Sequence, residues 1–159
     1  MAIHGLPFIE KGGQAVSGED QKEIRAEQTA LRTSGGQEVT APALAYLGDC
    51  VLEMCVRTYL VMERGLSTSA HLNKEALDFV RATAQSEAMT RIEPILSEEE
   101  MQAYRRGRNL GHSNVPKSAS VAEYRRATGM EALFGYLSLM GREERIKELF
   151  RIGYGLDEK

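Results

Sequence analysis

From Thr40 onward the apolar residues recur at helical intervals, with no run of strand-like alternation. At about 100° per residue, Leu44, Leu47, Val51, Met54 and Cys55 share one face of a first helix. Ala45, Leu52, Val56 and Leu60 lie opposite, beside Asp49. Thr40 can cap this helix, Pro42 fits its opening turn, and Gly65 stops it after about Arg64. Being apolar nearly all round, it is predicted to be central. A second helix is predicted from about Thr68 to Ile92, with Leu72, Ala76, Phe79, Thr83 and Ser86 along one stripe and Pro94 beyond its end. Ser97-Glu98-Glu99-Glu100 has the form of a capping box and opens a third helix to about Asn109. A loop over Leu110–Lys117 follows. A fourth helix starts near Ser118 or Ser120 and reaches Met140, with Gly141 as its stop. A fifth runs from Glu143 to Ile152. The class is all-α.

Residues 1–39 differ in kind. They hold six of the fifteen glycines (5, 12, 13, 18, 35 and 36) and few large apolar residues. The expected organisation is a mobile leader over 1–39, with a short helix across Glu19–Leu31, and one folded domain over 40–155. The net charge of −3 and pI near 5.7 do not announce a nucleic-acid binder, although net charge hides local patches. Cys50 and Cys55 lack companions at ligand spacing, which excludes a zinc site or a redox pair built from them alone; they read as small core residues. No signal peptide or membrane-length apolar run is visible, so a cytoplasmic protein without a membrane partner is expected.

Within this apolar background two acids stand out. Asp49 lies in AYLGDCVLEMCV and Glu131 in TGMEALFGYLSL. In the first helix the other charges, Glu53 and Arg57, are spaced to satisfy each other, whereas Asp49 has no such partner. Glu131 shares its stripe with Tyr124, Ala127, Thr128, Gly135 and Ser138, which are mostly small. A small stripe admits another helix closely, and Gly48 offers the same beside Asp49. A crossing there would bring both carboxylates to one divalent ion; the other reading is that each acid meets an arginine or reaches solvent. Between Tyr104 and Ala127 the cations are Arg105, Arg106, Arg108, Lys117, Arg125 and Arg126, against Glu123 alone, so the local charge is 6 − 1 = +5. Such a strip is either a solvated face or a surface that neutralises phosphates beside a metal able to activate water. Tyr46, Phe79, Tyr104, Tyr124, Phe134 and Tyr136 fall at helical spacings and read mainly as core. They do not interleave with the cations as a single-strand stacking surface would, which favours a duplex. His112 sits among the loop cations; His4 and His71 have no partners.

LAYLGDCVLE (44–53) resembles the signature helix of the ribonuclease III family, and MEALFGYLSLMG (130–141) its second acidic helix. HLNKEALDFVRATAQSEAM (71–89), YRRGRN (104–109) and PKSASVAEYRRATG (116–129) resemble the short bacterial branch, Mini-ribonuclease III, which has no double-stranded-RNA-binding domain. The likeness covers about 41–153 in unbroken order. It implies the helical endonuclease-domain fold, a symmetric homodimer, and cleavage of duplex RNA that leaves 5′-phosphate and 3′-hydroxyl ends. It implies Mg²⁺, with Mn²⁺ as a substitute, held by Asp49 and Glu131 as the catalytic acids. For this branch the implied substrate is the stem of precursor 23S ribosomal RNA, with a ribosomal protein as a candidate presenter. Arg105, Arg106, Arg108, Lys117, Arg125 and Arg126 are then the expected RNA contacts. Larger family members carry a Glu where this chain has Ala45 and an Asp where it has Thr128, so the implied site has two protein carboxylates. The competing reading is a non-catalytic RNA-binding or ribosome-assembly protein on the same fold.

Overall fold

The computed structural model describes residues 31–111 and 117–157. The expected helix across Glu19–Leu31, His4 and His112 lie wholly or largely outside those residues. Six α-helices follow in order: α1 (Ala41–Met62), α2 (Ser69–Val80), α3 (Ala82–Ile92), α4 (Glu98–Arg108), α5 (Val121–Leu139) and α6 (Glu143–Gly153), with a 3-10 turn at Glu93–Ile95. Among the described residues the extended structure is an isolated bridge, Arg32 to Glu38. The all-α expectation holds.

Local signals account for most of the boundaries. The Thr40 hydroxyl accepts from the Ala43 amide, and Gly65 takes a left-handed φ of 64° after α1. Ser97 with Glu100, and Ser120 with Glu123, form reciprocal capping boxes at α4 and α5. Gly141 takes φ 66° after α5. The expected second helix is instead two, broken at Arg81, whose backbone is extended. The break frees the Phe79 carbonyl, and the Tyr154 hydroxyl donates to it at 2.8 Å. It also lets α3 turn Ala88, Met89 and Ile92 into the core, while α2 buries none of its residues completely.

The central helix is α5, not α1. Between Ala127 and Leu137 only Glu131 is not fully buried. By contrast, α1 buries Leu44, Leu52, Val56 and Leu60 and leaves its other side open: Tyr46 is 81% exposed, Met54 67% and Met62 75%. Tyr46 is therefore not a core residue. Cys50 is exposed and Cys55 half-buried, so neither fills the core.

Helices α3, α4 and α6 pack around α5. Gly107 of α4 fits against Thr128 and Ala132, and Gly129 lies under the Tyr104 ring, where any Cβ would collide. Arg145 of α6 ties down the start of α4. It donates to both oxygens of Glu100 at 2.9 and 3.0 Å and to the Ile95 carbonyl at 2.8 Å. Glu100 is 2% exposed. Burial alone would raise its pKa, but the bonds from Arg145 and from the Ser97 amide outweigh it and hold the carboxyl below its ordinary value.

Residues 31–39, assigned to the leader by composition, belong to the folded unit, which begins at Leu31. Val39 donates to the Leu31 carbonyl and Thr33 to the Gln37 carbonyl, both at 2.8 Å, around a turn with Gly36 at φ 78°. Leu31 and Val39 pack on the core.

Candidate active site

Asp49 and Glu131 come together because two glycines let two backbones touch. A Cβ on Gly48 of α1 would fall on the Glu131 carbonyl and lie 2.8 Å from the Gly135 nitrogen. A Cβ on Gly135 of α5 would fall on the Leu44 carbonyl and lie 3.1 Å from the Gly48 nitrogen. The small stripe read from the sequence is thus the crossing point. It sets the residue after Gly48 beside the residue four before Gly135.

The two carboxylates line one open cleft of about 430 Å³. Ala45 and Thr128, the two positions at which the resemblance implies acids in larger family members, line it as well. Tyr46 and Tyr124 line it too, with Leu110 and Gly111 after α4. No lysine or arginine lines it among the described residues.

The acids are not equivalent. Asp49 is exposed at the mouth, not buried as its apolar sequence context suggested. Glu131 is half-buried. Burial first, and the Asp49 charge second, push its carboxyl up from 4.5 to about 7. Neither acid has a hydrogen bond or ion pair among the described residues, so no described arginine meets either of them, while Asp49 does reach solvent. Two adjacent, uncompensated carboxylates with all their oxygens available suit a hard divalent cation. No third carboxylate, histidine or cysteine joins them among the described residues, so such an ion would keep water in its remaining positions.

The basic strip divides. Helices α4 and α5 run antiparallel, with Gly107 against Thr128 and Glu99 bonded to Tyr136. Arg105, Arg108 and Arg125 therefore sit at one end of the pair. Arg105, Lys117 and Arg125 are exposed and form no ion pair among the described residues. Arg108 lies over the Tyr104 ring, 5.5 Å from its centre. Two strip residues are engaged inside the fold. Arg106 bonds the Val39 carbonyl at 3.0 Å and Glu38 at 2.9 Å, and Arg126 bonds Glu93 at 3.0 Å and Thr90 at 3.2 Å.

The sequence reading set Tyr124 on the stripe of Glu131 yet counted it among the mainly core aromatics; it is half-buried and lines the cleft. The available signal was its spacing: 124, 128 and 131 fall on one stripe of α5. A second concavity, about 600 Å³, runs along the open side of α1 past Cys50, Met54 and Cys55 to Ile146 and Phe150 of α6.

Comparison with known proteins gives a consistent picture. Residues 42–142 match the family model described as Ribonuclease III domain. The chain is 40% identical over 134 residues to a Mini-ribonuclease 3 of Thermoanaerobacter sp., covering 84% of this chain and 94% of that protein. It is 46% identical over 108 residues to a Mini-ribonuclease 3 of Symbiobacterium thermophilum, covering 68% and 82%. A crystal structure of a Fusobacterium nucleatum protein superposes with a TM-score of 0.66 at 32% identity, covering 73% of this chain and 92% of that one.

Proposed function

The chain belongs to the ribonuclease III family, in its Mini-ribonuclease 3 branch, and is an endoribonuclease; from this premise we propose that it cuts double-stranded RNA with a divalent cation held by Asp49 and Glu131. The observation that carries the reading is the pair of partnerless carboxylates on one open cleft, beside a helix end rich in arginine. A protein keeps such a pair at a cost in stability, and a bound cation offsets that cost.

Magnesium, with manganese as a substitute, fits an all-oxygen donor set completed by water. When bound, the ion activates water for in-line attack and stabilises the leaving oxygen. The residues of the chain do the rest. Glu131 gives up its proton to become a ligand, which makes loading pH-dependent. Asp49, at the mouth, is accessible to ion and substrate alike. Arg105, Lys117 and Arg125 meet backbone phosphates without breaking an internal pair, Arg108 does so from its place over Tyr104, and Arg106 and Arg126 do so only by leaving Glu38 and Glu93.

The open side of α1 supports a homodimer. Tyr46, Met54, Val61 and Met62 are large apolar side chains exposed along this one helix, with Cys50 exposed among them, and an exposed apolar patch of that kind invites a partner. A second copy covering it would set two cleavage sites on one duplex, one for each strand. The stem of precursor 23S ribosomal RNA, presented by a ribosomal protein, is the substrate we infer from the resemblance of the chain to its branch. No helix among the described residues is long and apolar enough to cross a membrane, in keeping with a cytoplasmic site of action.

The test is Asp49→Asn on a perfect RNA duplex with and without Mg²⁺. We expect cuts on both strands by the unaltered protein only with the metal, none by the variant, and equal duplex binding by the two. Full activity in the variant overturns the metal assignment. Binding without cleavage by the unaltered protein points instead to a non-catalytic RNA-binding role.

A further inference from the structure

Arg106 differs from the free cations of the strip because the fold has already given it an anion. One guanidinium nitrogen, Nη2, donates to the Val39 carbonyl at 3.0 Å and to the Glu38 carboxylate at 2.9 Å. The two acceptors are consecutive residues of the hairpin that leads into α1. Arg106 lies four residues before Leu110, and Val39 three residues before Pro42; Leu110 and Pro42 both line the cleft of Asp49 and Glu131. The pair therefore sits at the edge of the cleft, which no lysine or arginine lines among the described residues.

A carboxylate and a phosphate compete for the same donors of a guanidinium. The Arg106 side chain is 42% exposed and that of Glu38 56%, so an RNA phosphate can reach the pair, where it meets no net charge and a carboxylate of its own sign. The hairpin does not depend on that carboxylate. Exposed ion pairs add little stability, Leu31 and Val39 pack on the core, and the Val39 carbonyl accepts from Arg106 whatever the charge of Glu38. What the Glu38 charge does alter is the charge that Arg106 presents to the outside.

Building on the nuclease reading above, we propose that Glu38 is an intramolecular competitor of the RNA backbone: its carboxylate holds Arg106 out of duplex contact and sets the affinity at the cleft edge below what the cations alone would give. An enzyme that must release a cut duplex, itself still a polyanion, gains turnover from such a brake.

Glu38→Gln removes the charge and keeps the length of the side chain. We expect the affinity of the full chain for an RNA duplex, measured in EDTA at about 0.1 M salt, to rise roughly three- to tenfold, and its salt slope to steepen by about one charge. In Mg²⁺ the KM for cleavage should fall, while the single-turnover rate at saturating protein stays within about twofold of the parent's. Adding Arg106→Ala to Glu38→Gln should return affinity and slope to near the parental values. Glu144→Gln is the control. It removes the same charge from another exposed pair, with Lys147 at 2.7 Å, on α6, of which no described residue lines the cleft, and it should change affinity by less than about twofold. Unchanged or weaker binding by Glu38→Gln, an equal gain from Glu144→Gln, or a gain that survives the loss of Arg106 overturns the proposal and leaves the nuclease reading intact. If the parent protein neither binds a duplex nor cuts one in any divalent cation, the nuclease reading itself falls, and this proposal with it.

Discussion

Replacing Glu131 by glutamine should make the metal-free protein more stable, and only above acidic pH. In the fold this carboxyl titrates near 7 against an ordinary 4.5, chiefly because it is buried. At pH 4 it is protonated in both folded and unfolded chains and contributes nothing. Between 4.5 and 7 the unfolded chain releases the proton more readily than the folded one, so stability falls as pH rises. At about 1.4 kcal/mol per pH unit the loss reaches about 3 kcal/mol by pH 8. Glutamine has nearly the same shape and no charge. Urea unfolding in EDTA should therefore show the variant level with the parent near pH 4 and ahead by up to about 3 kcal/mol at pH 8. Asp49→Asn should recover only the smaller share, because the Asp49 charge is the second cause and burial the first. Adding Mg²⁺ at pH 8 should stabilise the parent, which has a charged ligand to offer, and leave the glutamine variant nearly unmoved. If the variant is less stable than the parent at pH 8 without metal, or its advantage is the same at every pH, Glu131 carries no uncompensated charge and the metal argument loses its footing.

Other perturbations probe the frame around the acids. Gly48→Ala drives a methyl group into the Glu131 carbonyl and should cost about 3 kcal/mol or prevent folding; a parental melting temperature would contradict the close crossing. Arg125→Ala should weaken duplex binding and lower its salt slope by roughly one charge, whereas Arg106→Ala should chiefly loosen the Glu38 hairpin; titrations at several salt concentrations separate the two. Met54→Glu sets a charge on the open side of α1 and should shift the protein to a monomer in sedimentation analysis, while a parental mass would remove that surface from the interface.

Much of this fold was legible because its boundaries are local. Thr40, Ser97, Ser120, Gly65 and Gly141 each act within a turn of chain, and each acts in the structure as its residue type predicts. What escaped depends on contacts distant in sequence. Nothing near Arg81 announces a break; the Tyr154 hydroxyl, which takes up the Phe79 carbonyl, comes from the far end of the chain. The apolar positions of α1 could not reveal that one side packs and the other stays open, since Tyr46 and Met54 look like core residues by type. The hairpin at 31–39 is rich in glycine and polar residues; it is held by Leu31 and Val39 packing on the core and by Arg106, which comes from far along the chain. At the site, the pairing of Asp49 with Glu131 was readable from the small residues around each. The exposure of Asp49 was not, because helical spacing sets it among apolar residues and only the packing of α1 on α5 decides which of them reach solvent.

The contact at Gly48 and Gly135 works as a ruler. Because the main chains themselves touch, the backbone positions of the two acids are fixed by that contact, and their side chains need only turn toward the shared cleft. Positions 45 and 128 lie one turn before each acid or nearly so, on the walls of the same cleft. A lineage can therefore gain or lose acids at those two places, and with them further cation ligands, without recalibrating the pair that remains. The spacing of the paired acids and the number of acids around them are separately adjustable quantities in this fold.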